Sequence, residues 1–465
     1  MAHQIVLTDT ETMIFTLLRQ TVATYSTHTI LRVVGGWVRD KLLGRESHDI
    51  DITVDNMPSY DFSVYLQKYI QENTTHQISG IGVIQPNPSS GKHLLTSTLR
   101  IDNIPIDICC LRPENFGSDS TGVGTPLSDA RRRDFTINSL FYRVNDGVIE
   151  DMTQQGLSDL SAHVIRTPIP PQETLVDDPL RALRAIRFSA KMCYTIDPHL
   201  IEVMKSDTLK IGICSTISRE RIGNEILGMI QTGHQSYCFE KLMEVGYYTV
   251  IFGECDEVQV LSVMKSYEEL SKAFTIFNEE HRVYGAIASA TFWFIGMNDL
   301  KNMKVPRVQG IIMEALKLST AIKNNVALIH SGYLEVKKLD FQQNYTRLDL
   351  GRIVLSAEAL WREAICLYAA IKSPITVKYE KSDDGGQVEK KTVQWVGNII
   401  QKIEQNGLEN CYKMRPKING DEIAKILGRK KGPWLKEILR GVIEMQIERP
   451  EATHNDILDY VKNWK

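Results

Sequence analysis

A chain of 465 residues exceeds what one hydrophobic core serves, and about two to four domains are expected. Its 43% hydrophobic and 24% charged residues suit an ordinary globular protein, and no apolar run approaches the roughly 20 residues that cross a bilayer. A net charge of −3 excludes a protein that holds nucleic acid by overall charge, so any such contact must be local.

Residues 1–150 read as mixed α/β. Helix-like segments at 11–26 and 60–72 accompany β-branched runs at DIDITVD (49–55), SGIGVIQ (79–85), HLLTSTLRI (93–101) and IPIDICCL (104–111). The following stretch, RPENFGSDSTGVGTPLSDA (112–130), is dense in Gly, Ser, Asp and Pro and is either a functional loop or a solvated linker. From about residue 175 apolar residues recur at three and four, which predicts a largely helical remainder. KSDDGGQVEKK (381–391) reads as an exposed loop. Eight cysteines are scattered without a CxxC pair, and only Cys109 and Cys110 adjoin. That usage points to reduced thiols inside the cell, not to a zinc site or a disulfide framework. The N-terminal MAHQIVLTDTETM has neither the apolar core of a secretory signal nor the arginines of a transit peptide. Cytoplasm and nucleus are the expected locations, with a mitochondrial form arising from an upstream start.

The densest chemistry lies in LRVVGGWVRDKLLGRESHDIDITVD. Asp49 and Asp51 are two apart on a predicted strand, so both carboxylates project from one face. Paired hard oxygen ligands open to solvent suit Mg²⁺ shared with substrate phosphates, in a two-metal nucleotidyl-transfer site. Mn²⁺ is the alternative ion. Upstream, Gly35-Gly36 lets the backbone approach a triphosphate, and Arg39 is placed to clamp phosphate. Asp107, on a later strand, either completes the metal shell or is a plain strand-edge carboxylate. Taken singly, a DxD is usually a surface strand pair and a GG a turn; GG-x-x-RD with DxD nine residues on is far more specific.

GGWVRDKLLGRESHDIDI resembles the first motif of the class II tRNA nucleotidyltransferases, a branch of the polymerase-β-like superfamily that adds CCA to tRNA 3′ ends. RRRDFTINSLFY (131–142), EDMTQQGLSDL (150–160), DDPLRALRAIRF (177–188) and ISRERIGNE (217–225) are similar to the second to fifth motifs, in order. INGDEIAKILGRKKGPWLKEIL (418–439) is similar to the family's tail. The resemblance implies an α+β fold: a catalytic head (1–150), then an all-α neck (151–230), body (231–340) and tail (341–465). It implies tRNA, CTP and ATP as partners, with no membrane and no obligate protein partner. It also implies that Arg184 and Arg187 line the nucleotide site, with helix buttressing as the alternative, and that Arg133 contacts phosphate or ribose.

Asp178 and Arg181 can be read chemically as well. Asp178-Pro179 looks like an N-cap and first helical position, which sets Asp178 and Arg181 one turn apart. An arginine donating to a ring nitrogen and a carboxylate accepting from an exocyclic amine fit both cytosine and adenine. Uracil and guanine present the reverse pattern and leave polar groups unpaired, at about 1–3 kcal/mol each. The plain alternative is a helix cap with an i,i+3 salt bridge. Asp134 and Asn138 are expected to hold the site together. Arg219 and Arg221 are expected to tie the neck to the head, with Glu220 as ionic partner.

The segment 113–130 falls where the family carries a flexible loop needed for the final A. Residues 411–440 hold nine Lys/Arg against three Asp/Glu. Lys413, Arg415, Lys417, Arg429, Lys430 and Lys431 are therefore either a solvated face or a grip on the tRNA backbone. A bacterial-type poly(A) polymerase is the nearest rival, but its RRF-like signature after the aspartates is missing from DNMPSYDFSVYLQ (55–67). A catalytically dead tRNA-binding protein would not be expected to keep Asp49, Asp51, Asp178 and Arg181.

Overall fold

The four β-branched runs supply β2 to β5 of a seven-stranded sheet in the order β3-β4-β5-β2-β1-β6-β7, and three strands that the sequence reading did not name, β1, β6 and β7, complete it. Its strands are β1 (Arg32–Val34), β2 (Ile50–Val54), β3 (Gly82–Ile84), β4 (Thr96–Ile101), β5 (Ile104–Cys110), β6 (Leu140–Arg143) and β7 (Ile149–Asp151). This computed structural model describes residues 5–47, 49–85, 95–113, 124–274, 278–299, 304–339, 345–375 and 388–464. The loop expected within 113–130 therefore lies largely outside the described residues, as does most of 381–391.

All neighbouring strands run antiparallel except β2 and β5, which are parallel. A parallel pair needs a long crossover, and α3 (Ser59–Asn73) provides it before β3 and β4. The register sets Ile50 beside Ile106, Asp51 beside Asp107 and Ile52 beside Ile108. Side chains alternate across a strand, so the isoleucines enter the core while both aspartates share the opposite face. The predicted strand at 49–55 is slightly too long, because Asp49 lies just before β2.

Helix α1 (Asp9–Thr24) begins with a Thr8–Glu11 capping box and buries Ile14, Phe15 and Leu18. It packs on α3, which covers β2, β4 and β5 with Phe62, Leu66 and Ile70. Glu11 also accepts from the buried Trp37 indole at 2.9 Å and pairs with Lys41 at 2.6 Å, fixing α2 (Gly36–Leu42).

The chain forms two compact units. Among the described residues, the first, residues 1–225 with 244–246, holds the sheet with α1 to α3 and also α4 (Pro126–Arg131), α5 (Gly156–Ala162), α6 (Pro171–Asp177), α7 (Leu180–Met192), α8 (Pro198–Met204), α9 (Asp207–Ser215) and the first turns of α10 (Arg219–Gln231). The second, residues 226–243 with 247–465, is built of helices, among them Glu257–Ala273, Thr320–Lys337, Arg347–Ala357, Trp361–Lys372 and Lys390–Gln405. Near its end Ile418, Ile423, Ile438, Val442, Ile457 and Val461 make a core of their own. The architecture is the α+β one expected: a mixed sheet with helices, then a helical remainder.

Candidate active site

Gly35 closes β1 at φ +75°, ψ −135°, a conformation that L side chains rarely adopt. A Cβ there would also stand 3.2 Å from Arg133 Nη1. Gly35 is buried and Gly36 half-buried, and with no side chain on either the turn's own backbone lines the cleft at the start of α2. Arg39, read from the sequence as a phosphate clamp, is buried and already engaged: it donates to Asp40 at 2.8 and 2.9 Å and to Asn138 Oδ1.

The carboxylates converge in part. Asp51 and Asp107 are side by side on the parallel strands, and Asp49 is exposed two residues before Asp51. Asp51 keeps its surface open to solvent, but partial desolvation by the walls around it, and then the like charge of Asp107, raise its pKa, while Arg133 pulls it down. Among the described residues no three His, Cys, Asp or Glu side chains form a ready metal cluster. The donor set still fits a hard cation, because an ion completed by substrate phosphates needs only one or two protein carboxylates.

The second motif builds a clamp. A Thr125–Ser128 capping box starts α4, and the buried Asp129 on it accepts from Arg133 at 2.8 and 3.1 Å and pairs with Arg112 Nε at 3.4 Å. Asp129 and Arg112 have no role in the sequence reading; the signal was their place at the two ends of the Gly/Ser-rich stretch. Asp134 and Asn138 do hold the site together. Asp134 accepts from Arg184 at 2.7 and 3.0 Å, from Asn138 Nδ2 at 3.0 Å and from the Phe135 N–H at 2.8 Å. Burial pushes its carboxyl up, but the Arg184 charge and these bonds outweigh it and hold the pKa at about 2.

Helix α7 begins one residue later than expected, at Leu180 with Pro179 as its cap residue, and Asp178 is extended at φ −148°, ψ 95°. Asp178 still accepts from the Leu180 N–H at 3.2 Å. Its ionic partner is Arg221, at 2.7 Å, not Arg181 one turn on. Arg181 donates instead to Thr174 and to the Arg132 carbonyl. Arg221 thus joins the site from α10, where the sequence suggested only a general tie with Glu220. Arg187 pairs with the buried Glu225 at 2.6 Å and serves as a buttress. Phe188, unremarked in the sequence, lies under the guanidinium groups of Arg39, Arg184 and Arg187 at 5.2, 5.4 and 4.7 Å.

These elements enclose an open cleft of about 680 Å³. Of the predicted residues, Gly35, Gly36, Arg39, Asp51, Arg133, Asp178, Arg181 and Arg184 line it, together with Arg112, Arg132, Asp134, Asn138, Asp177, Phe188 and Arg221. Asp49, Asp107 and Arg187 do not. In the second unit Lys413, Arg415, Lys417, Arg429, Lys430 and Lys431 are all exposed, with Lys431 paired to Asp421 at 2.6 Å.

The chain resembles known proteins across this region and beyond it. Residues 31–166 match the Poly A polymerase head domain. The tRNA nucleotidyltransferase cca1 of Schizosaccharomyces pombe is 34% identical over 92% of this chain and 90% of its own length. The chain belongs to the tRNA nucleotidyltransferase family. The mitochondrial CCA tRNA nucleotidyltransferase of Saccharomyces cerevisiae is 31% identical over 93% of this chain and 87% of its own. A solved CCA-adding enzyme in complex with ATP shares the fold at a TM-score of 0.67 and 19% identity, covering 98% of this chain and 94% of that one. Family membership implies divalent-metal dependence in general. Among the described residues no helix is long and apolar enough to cross a membrane.

Proposed function

We propose that this protein adds C, C and A in turn to the 3′ end of tRNA from CTP and ATP, without a nucleic-acid template, releasing pyrophosphate. The observation that carries the reading is a single cleft lined by Asp51, by the Gly35-Gly36 turn and by Asp178 with Arg181. Reaction and base choice are thereby served in one place.

Asp49 and Asp51, with Asp107 beside them, would hold Mg²⁺, or Mn²⁺ in its stead. Bound there, the ion supplies Lewis acidity for the attacking 3′ hydroxyl and neutralises charge on the departing pyrophosphate. The chain's own residues do the rest. The glycine turn admits the triphosphate, and Arg133 and Arg112, carried on Asp129, present positive charge to it. Each Asp178 oxygen takes one bond, from Leu180 N–H or from Arg221, and keeps a lone pair for an exocyclic amine. Arg181 keeps donors for the ring nitrogen. The exposed tail residues Lys413, Arg415, Lys417, Arg429, Lys430 and Lys431 grip the tRNA backbone. The protein works in cytoplasm and nucleus, with a mitochondrial form.

The test is extension of a tRNA lacking CCA with CTP and ATP, separately and together. CC from CTP alone and CCA from both are expected. Homopolymeric A tails from ATP alone would overturn the assignment in favour of a poly(A) polymerase.

A further inference from the structure

Base discrimination by hydrogen bonds works only if the reading groups are held within about 0.5 Å and 10–20° of their productive geometry. Arginine side chains are long and rotamer-rich, so a free guanidinium would read poorly. Arg181 is not steadied by Asp178, whose ion pair is with Arg221. Its two terminal nitrogens are tied elsewhere: Nη1 donates to Thr174 Oγ1 and, at 3.5 Å, to the Thr174 carbonyl, while Nη2 donates to the Arg132 carbonyl at 2.7 Å. Acceptors on both ends of one planar group fix its plane, and leave Nε–H and the remaining N–H bonds for a ligand.

Thr174 is suited to that task. It sits on α6 with no exposed surface, and a β-branched side chain is stiff about χ1. Its carbonyl also accepts the Asp178 N–H at 3.3 Å. One buried residue therefore bonds the backbone of one base-reading residue and the side chain of the other. The partner acceptor, Arg132, is anchored in turn by a 3.8 Å contact between its own guanidinium and Asp177.

We propose that Thr174 is a positioning residue for base selection: by fixing the plane of the Arg181 guanidinium beside Asp178, it sets the rejection of UTP and GTP. The proposal rests on the base-reading role of Asp178 and Arg181 given above.

Thr174→Val keeps the shape and removes the acceptor; Thr174→Ser keeps the acceptor. Full-length protein is given tRNA lacking CCA with CTP or UTP, and the ratio of kcat/KM for the two nucleotides is measured. The expected ratio in T174V is lower by about tenfold, corresponding to roughly 1.4 kcal/mol, through gained use of UTP and a raised KM for CTP. T174S is expected to restore it. A purely structural role would depress both nucleotides together, so an unchanged ratio in T174V overturns the proposal. Should T174V fail to fold, Thr174→Ala supplies the same ratio with the same two outcomes. Arg181→Ala is run in parallel. If it loses selectivity while T174V keeps it, only the positioning role falls; if R181A itself stays selective, the base-reading assignment falls first.

Discussion

Replacing Asp134 by asparagine removes one charge, and almost no volume, from the point where α7 meets the second motif. In the folded protein this carboxylate takes two bonds from Arg184, one from Asn138 and one from the Phe135 N–H. Its pKa of about 2 lies below the 3.8 of a free carboxyl. The charged form is therefore the one that folding favours. Its contribution is complete above about pH 4 and is lost as pH falls toward 2. The gap between 3.8 and about 2, at ~1.36 kcal/mol per pH unit, amounts to about 2 kcal/mol. Urea unfolding of wild type and D134N, followed by far-UV circular dichroism, should show D134N less stable by about that amount at pH 7. The difference should shrink steadily between pH 4 and pH 2, because protonation removes from the wild type what the substitution has already removed. Asp146, in an exposed pair with Arg143, is the control: D146N should shift stability by well under 1 kcal/mol. A D134N protein as stable as wild type at pH 7, or a difference that does not close in acid, would refute the reasoning.

Three further substitutions bear on the site and the tail. Asp51→Ala should lower nucleotide transfer on the order of a thousandfold while tRNA binding, read by gel shift, survives; unchanged transfer would remove the metal-holding role. Gly35→Ala should cost about 1–3 kcal/mol in unfolding experiments, because its backbone sits at φ +75°. It should also raise KM for CTP by pressing on Arg133, and a neutral outcome would show that the turn relaxes freely. Joint replacement of Arg429, Lys430 and Lys431 by alanine should weaken tRNA binding and reduce the slope of log affinity against log salt by roughly 2. An unaltered slope would leave these residues as a solvated face.

Much of the head was legible because the needed information was local. The Asp49/Asp51 spacing and the Gly35-Gly36 turn depend on neighbours within a few residues, where strand period and backbone sterics operate directly. The helices near 11–26 and 60–72 and the four β-branched runs were legible for the same reason, whereas the short β1 and α2 on either side of the glycine turn were not named. The spacing argument misled where it assumed that helical neighbours pair. Asp178 is extended, not helical, so it turns to Arg221 on α10 while Arg181 turns to α6 and the second motif. Arg187 shares a helix with Arg181 and Arg184, yet Glu225 draws it out of the cleft lining.

What the sequence determined by itself was the inventory: a metal-type carboxylate pair, a phosphate-type turn, an Asp–Arg pair able to read C and A, and the order in which the chain presents them. Only the tertiary structure decided the partners. The parallel register of β2 and β5 puts Asp107 against Asp51, and the fold of α4 puts Asp129 between Arg112 and Arg133. It is likewise the packing of α6 against α7 that gives Arg181 its rest on Thr174. The reason is physical: a charged side chain taken from water binds whichever opposite group the folded backbone brings near, and for residues as far apart as Asp51 and Asp107, or Asp178 and Arg221, that proximity is a property of the packing alone.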